Sequence, residues 1–417
     1  MLNIILLYIL IKIKMKNIFC YFLIILLFKI KSKKDEYTIN LFYQFDDKNS
    51  DNDRILFENI KIFKGSIFSN YPRKSSSTKS TFGKFENEKF TPWPNDEYNS
   101  NDGNCSKFIS IVNFEFDEDN NIYLLDEGSS NCPIKLYKFN SEGIVLENYT
   151  IYNRASNIDT LNVSNFVIDT TNDYIYIAYS NLTKQQENAG IFILKLKDQN
   201  TTAKALTLNG QNFLIDENYI SPITNNIKFV NIALSCDGKY IIFCPLSSKM
   251  FYSIPTKKIR EESVKSISFN DVNAAYKNDL SSSLISGNLG NLYLTGLEKN
   301  AIYIAEQIDY ELSFFDFKIL EKIENKYEPT EKPNKIFIDD GDLYIVYKNT
   351  SKKVNNTRIY KTFIDNENSY INKCDGLKYN LKLSSEFIWI FILLIIIYIL
   401  FIIYIENKQD RDINKKK

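Results

Sequence analysis

The sequence predicts an all-β fold, a six-bladed β-propeller, followed by a C-terminal transmembrane helix. Three observations carry this. A turn followed by an aromatic-aliphatic strand recurs five times between residues 105 and 365. That region shows no convincing helical period. Phe387–Ile405 is an unbroken apolar run near the C-terminus.

The repeating unit is clearest in Phe108–Ile151. There FISIVNFEFD, the turn EDNN, IYLLDEG, IKLYKFN, the turn SEG and IVLENYTI give four strands joined by hairpin signals. Its central hairpin recurs in order. Asn120-Asn121-Ile122-Tyr123-Leu124 is followed by Asn172-Asp173-Tyr174-Ile175-Tyr176 and Asp237-Gly238-Lys239-Tyr240-Ile241. Then come Gly290-Asn291-Leu292-Tyr293-Leu294 and Asp340-Gly341-Asp342-Leu343-Tyr344. A further strand follows each, as in Leu136-Tyr137-Lys138 and Arg358-Ile359-Tyr360. Four strands per unit at such spacing is a propeller pattern: a ring of sheets covers both faces of each sheet and leaves only short edges. Five units are read directly. The sixth is expected from residues 37–100 together with the terminal strand after 360, within a propeller domain spanning 37–368. A pair of β-sandwiches is the alternative.

Lys plus Arg and Asp plus Glu are both 51, so no basic excess points to nucleic acid. The chain has no histidine. That excludes Ser-His-Asp and Cys-His nucleophiles, imidazole acid-base work and His-ligated metals. Catalysis would have to rest on carboxylates, Lys, Tyr, Cys or an oxygen-bound metal such as calcium.

The 19 residues Phe387–Ile405 rise about 28 Å as a helix, enough to cross a bilayer core. Lys408, Arg411, Lys415, Lys416 and Lys417 follow, so the positive-inside rule puts the 406–417 tail in the cytoplasm and the propeller on the extracellular or luminal side. Residues 369–386 read as a stalk. Residues 1–34 read as a signal peptide or signal anchor around the apolar run Ile18–Phe28, with Met15 an alternative start. Sequons at Asn104, Asn148, Asn162, Asn181, Asn200, Asn349 and Asn355 agree with that side. So do Cys105, Cys132, Cys236, Cys244 and Cys374, which allow two disulfides and one leftover thiol. Cys236 and Cys244 flank a turn without facing each other and are not expected to pair.

An ordered set of motifs runs from about residue 60 to 305. Ile67-Phe68-Ser69-Asn70-Tyr71-Pro72-Arg73 is similar to "iFvtlPR", and Thr91-Pro92-Trp93-Pro94-Asn95-Asp96-Glu97-Tyr98-Asn99 to "PYPsxexN". Asn104-Cys105 with Asn121–Gly128 is similar to "NC…rLWVLDtG", and Cys132-Pro133-Ile134-Lys135-Leu136 to "CPpkLl". Ala233–Gly238 with Cys244–Ser248 is similar to "ALSPDG…fxPLSS", and Gly290-Asn291-Leu292-Tyr293 with Asn300-Ala301-Ile302 to "GnLyfg…NAI". On these residues the chain resembles the yellow / major royal jelly protein family, six-bladed propellers that are usually secreted. The resemblance implies the six-blade count and a ligand site in the central channel, which some members use for biogenic amines. Asn165 stands where the family has an acidic residue, so the carboxylate partner of an ammonium is missing.

Three functions follow as expectations. The first is a binding module taking a small ligand in the channel, with Asn113, Ser164, Asn165, Asn231, Ser282 and Ser283 as candidates. The second is a structural or adhesive cell-surface glycoprotein. The third is a propeller hydrolase or isomerase holding calcium through Glu115, Asp126 and Asp169. Binding is expected ahead of catalysis.

Overall fold

Burial along the strands reflects their place in the ring. In Val145–Tyr152 exposed and covered residues alternate, as on a sheet wetted on one face. In Ile122–Asp126 every residue is buried, because that strand has protein on both faces. In a computed structural model, the structure describes residues 39–45, 59–73, 80–86, 89–152, 161–182, 187–196, 203–209, 230–245, 249–276, 279–288, 290–305, 317–322, 331–349 and 357–364.

The described strands form six sheets. Blade 1 is Asn59–Phe63, Ser66–Asn70, Phe82–Glu86 and Lys89–Pro92. Blade 2 is Ile111–Phe116, Ile122–Asp126, Ile134–Phe139 and Val145–Tyr152. Blade 3 is Leu161–Asp169, Tyr174–Leu182, Glu187–Lys195 and Lys204–Asn209, with Ser266–Ser268 added in parallel at its outer edge. Blade 4 is Val230–Leu234, Tyr240–Pro245, Met250–Pro255 and Asn273–Tyr276. Blade 5 is Leu284–Ser286, Leu292–Gly296, Ala301–Ala305 and Phe317–Lys322. Blade 6 is Glu331–Asp339, Asp342–Asn349, Thr357–Phe363 and, as its outermost strand, Asn40–Phe45.

The ring therefore closes by strand exchange between the two ends of the propeller. Asn40 pairs with Lys361 and Phe45 with Thr357, so the first strand completes the last blade. The expected sixth unit is corrected accordingly. Asn59–Pro92 is a complete blade by itself, while Asn40–Phe45 and the terminal strand complete the blade of the fifth visible hairpin.

The core is six apolar clusters, one at each blade-to-blade interface. Phe63, Phe82, Trp93, Phe114 and Phe139 pack blades 1 and 2. Leu125, Phe166 and Phe192 pack blades 2 and 3, and Tyr176, Ile232 and Phe243 pack blades 3 and 4. Ile242, Leu292 and Tyr303 pack blades 4 and 5, and Tyr293, Ile304 and Ile345 pack blades 5 and 6. Ile60, Tyr71, Phe337 and Ile359 close blade 6 onto blade 1. The aromatic excess is concentrated at the first interface, where Phe63 stacks on Phe116 at 4.1 Å between centroids.

Among the described residues no helix is long and apolar enough to cross a membrane. The apolar runs Ile18–Phe28 and Phe387–Ile405, the stalk, the tail, Cys374, Asn200 and Asn355 lie outside the described residues.

Candidate functional site

Each blade contributes its innermost strand to the wall of a central channel, and hairpin register aligns the six strands. Counting back four residues from the start of each turn gives Asn59, Asn113, Asn165, Asn231, Ser283 and Lys335. Blades 2, 3 and 6 bulge immediately before this position. A bulge kinks its strand and re-aims the side chain beside it.

This ring is a belt that ties blade 1 to 2, 2 to 3, 3 to 4 and 5 to 6. Asn59 Nδ2 donates to the Val112 carbonyl at 2.8 Å. Asn113 Nδ2 donates to Asn165 Oδ1 at 2.6 Å, and Asn165 Nδ2 reaches the Ile232 carbonyl at 3.4 Å. Ser283 Oγ accepts from the Ile336 amide at 3.2 Å. Neighbouring Ser282 donates to the carbonyls of Pro333 and Asn334. Asn113 and Asn165 also accept the amides of Phe114 and Phe166. Of the six sequence candidates, Asn113, Asn165 and Ser283 line the channel cavity; Asn231 holds the equivalent strand position without lining it, and Ser164 and Ser282 are not part of its lining. Most of the polar capacity of the lining three is spent between blades.

The next layer departs from sixfold equivalence. Two residues beyond the belt the strands carry Val167, Ala233, Ile285 and Phe337 in four blades, but Lys61 and Glu115 in blades 1 and 2. These two form an ion pair across the interface, with Glu115 Oε1 taking the lysine. One residue further, five blades carry Ile62, Phe116, Ile168, Leu234 and Ile338, and blade 5 carries Ser286. Ser286 is 8 % exposed, and its hydroxyl has no hydrogen-bond partner. Lys61, Glu115 and Ser286 all line one cavity of about 90 Å³, together with the belt residues other than Asn231 and with Val167, Ala233 and Ile285.

The three calcium candidates are not brought together. Glu115 is paired with an ammonium. Asp126 lies on the second strand of blade 2 and accepts the amides of Ile109, Ser110 and Gly128 at 2.8 to 3.0 Å, holding the loop before the innermost strand. Gly128 has a φ of +65°, and a Cβ there would meet the Pro133 carbonyl at 2.4 Å, so this loop requires glycine. Asp169 is paired with Arg260, which follows the third strand of blade 4 in the short helix Thr256–Arg260. Arg260 also donates to Tyr176 Oη at 2.6 Å and lies over the Tyr174 ring. Burial raises the carboxyls of both Asp126 and Asp169 above their usual range. Among the described residues no group of three His, Cys, Asp or Glu could hold a metal.

The motif residues outside the channel are structural. Asn70 Nδ2 donates to the Ile111 carbonyl, and Asn99 accepts the amides of Thr81 and Phe82. Arg73 gives its guanidinium to the carbonyls of Asn99, Phe108 and Ile109. Cys105 and Cys132 form a disulfide, Cys236 is disulfide-bonded as well, and Cys244 is a buried free thiol. Asn104 and Asn148 are exposed, whereas Asn162 lies half-buried on the innermost strand of blade 3. For Asn181 and Asn349 only the backbone is described.

Sequence reasoning missed Lys61 and Ser286, and named Glu115 only as a metal ligand. Superposing the six innermost strands by their turns is what exposes them, since each departs from an otherwise apolar layer.

No family model matches the chain, and no curated protein is similar to it. Solved structures similar to it include a luciferin-regenerating enzyme, 11 % identical over 80 % of this chain and 99 % of that one, with a TM-score of 0.45. Virginiamycin B lyase from Staphylococcus aureus is 12 % identical over 79 % of this chain and 100 % of that one, TM-score 0.42. The calcium-binding protein regucalcin from Agrobacterium tumefaciens is 10 % identical over 76 % of this chain and 93 % of that one, TM-score 0.42. The six-blade assignment rests on the strand pairing of the chain itself.

Proposed function

We propose that the chain is an extracytoplasmic propeller, tethered to a membrane through Phe387–Ile405, whose central channel binds a small ligand. The observation that carries this reading is the channel cavity with the Lys61–Glu115 ion pair on its wall, in a layer that is apolar in the other four blades. Polar groups set among apolar walls of a concavity are the usual make-up of a small-molecule site. The absence of histidine from the sequence supports binding over catalysis. The Cys105–Cys132 disulfide and the exposed sequons Asn104 and Asn148 support the extracytoplasmic side. The resemblance to the yellow / major royal jelly proteins supports a channel ligand, but Asn165 is engaged by Asn113 and offers no carboxylate to an amine.

The test is a thermal-shift screen of the full chain in detergent micelles against small amines, polyols, carboxylates, lactones and calcium. At least one compound is expected to raise the melting temperature of the wild type and not of Glu115→Gln. A screen in which every stabilising compound acts equally on the variant contradicts the channel site. Protease protection with a tag after Lys417 tests the tether. In sealed microsomes, whose outer face is cytoplasmic, a cytoplasmic tail is digested without disrupting the membrane, and a tag digested only after disruption contradicts it.

A further inference from the structure

We infer that the edge of blade 6 where the ring closes rests on a neutral lipid bilayer, through the exposed side chains of Leu41, Phe42 and Phe363. This rests on the membrane tether proposed above and adds which side of the propeller faces the lipid.

Strand order defines two sides of the ring. Strands within a blade are antiparallel, so the turns from first to second strand and from third to fourth strand belong to one side, and the loops from second to third strand belong to the other. In blade 6 the strand exchange leaves two chain ends where blade 2 has its third-to-fourth turn. Asn40 sits opposite Lys361, and Phe363 sits opposite Asp342 beside the Asp340-Gly341 turn. Ile39 and Ile364 both pack into the cluster between blades 5 and 6, and the Ile364 amide donates to the Gly341 carbonyl at 2.8 Å. The chain therefore enters and leaves the propeller at one place.

Exposed apolar side chains surround that place. Leu41 is 54 % exposed, Phe42 41 % and Phe363 59 %. The Phe42 ring lies 5.6 Å from Lys361 Nζ, and Lys361 pairs with Asp342, the cross-strand neighbour of Phe363. Residues two apart on a strand share a face, so Phe42 and Phe363 stand on either side of Lys361. Leu41, opposite Tyr360, is exposed on the other face of the same edge strand. Ile144 and Leu146 complete the large hydrophobics that are exposed among the described residues. They stand in and just after the third-to-fourth turn of blade 2, which belongs to the same side by strand order. Single exposed apolar residues need no explanation, but a set confined to one side of a ring marks an interaction surface.

The path of the chain identifies that surface. Residues 365–386 join Ile364 to the apolar run Phe387–Ile405, and residues 29–38 join the run Ile18–Phe28 to Ile39. The shorter link spans about 40 Å at most when fully extended. With this side toward the bilayer both links run directly to it; with the other side, both have to turn back past blade 6. The Cys105–Cys132 disulfide and the exposed sequon Asn104 belong to loops of the opposite side, where a glycan stays in water. The charges within the patch, Lys361 and Asp342, are paired at 2.8 Å and sum to zero. Anionic headgroups therefore gain nothing there, and a phosphatidylcholine surface fits, with the apolar side chains at the headgroup boundary.

The experiment is tryptophan fluorescence of the full chain in phosphatidylcholine nanodiscs, with and without a phosphatidylcholine that carries a nitroxide next to its headgroup. Tryptophan is introduced singly as Phe42→Trp, Phe363→Trp and Ser130→Trp, all at exposed positions, and the emission added over the wild type is read. The first two are expected to lose about half of the added emission or more to the nitroxide lipid, as for rings seated at the headgroup boundary. Ser130→Trp, on the loop from second to third strand of blade 2, is expected to keep it. Emission at Phe42→Trp and Phe363→Trp that the nitroxide lipid leaves unchanged overturns the proposal, and so does an equal loss at Ser130→Trp. If these two emissions are shielded from aqueous iodide but not lost to the nitroxide, and the chain sediments as a dimer, a second copy covers the edge and lipid contact is overturned. A chain that does not stay in the nanodisc faults the tether and the proposal with it. A chain that stays in while its blade 6 residues remain unquenched faults the orientation alone.

Discussion

Asn113 and Asn165 lie on neighbouring innermost strands, and the amide of the first donates to the carboxamide oxygen of the second at 2.6 Å. Each also accepts the backbone amide of the residue that follows it. The two side chains thus join blade 2 to blade 3 around the channel and hold their own strands beyond a bulge.

Removing either carboxamide leaves buried donors unpaired. Asn113→Ala and Asn165→Ala are each expected to destabilise the fold by about 1–3 kcal/mol. The double variant is expected to cost less than the sum, because both break one shared bond. Denaturant unfolding of the four proteins measures this, and strict additivity would contradict the shared belt.

Arg260 ties blade 4 to blade 3 by covering the wholly buried Asp169 side chain. Arg260→Met is expected to cost about 3–5 kcal/mol, since it strands a buried carboxylate. Asp169→Asn in that background is expected to recover part of the loss. A thermal melt of Arg260→Met matching the wild type would show that this contact does not hold the two blades.

Asp102 gives a pH signature near the Cys105–Cys132 loop. Its hydrogen bond from Lys107, with the Asn104 amide, lowers its carboxyl to about 2. The ordinary value is about 3.9. The folded state therefore holds fewer protons than the unfolded state between these values. Its contribution to stability is present above pH 4 or so and is lost as the pH falls through about 2. Carboxyl-detected NMR titration is expected to give a midpoint near 2 in the wild type and nearer the ordinary value in Lys107→Met.

The Cys105–Cys132 disulfide closes a sequence separation of 27 residues across the first half of blade 2. By loop-closure entropy its removal is expected to cost about 3.5 kcal/mol. The Cys105→Ser/Cys132→Ser protein should melt lower than the wild type without reductant and equal to it with reductant. Equal melting under both conditions would mean that the bond is absent or carries no stability.

Much of the ring was legible because its hairpins announce themselves locally. Asn120-Asn121, Asp173, Asp237-Gly238 and Asp340-Gly341 are turn residues, several with positive φ, each followed by an aromatic-aliphatic strand. Blade 1 was harder, since its Lys64-Gly65 turn sits among motifs that could equally have formed a long loop. Strand exchange between Asn40–Phe45 and Thr357–Phe363 leaves no local mark, because the pairing joins residues more than three hundred positions apart. The channel candidates were found by residue type. Asn113, Asn165 and Ser283 do face inward, but type alone does not separate a residue that ties blades from one that meets a ligand. Lys61 and Ser286 become conspicuous only once register shows what the other blades place at the same height.

The most direct measurement of the account is an experimental density map of the full chain that resolves the channel side chains. The account predicts six blades closed by Asn40–Phe45, with non-protein density in the channel beside the Lys61–Glu115 pair. A channel filled by its own side chains at that height would contradict it.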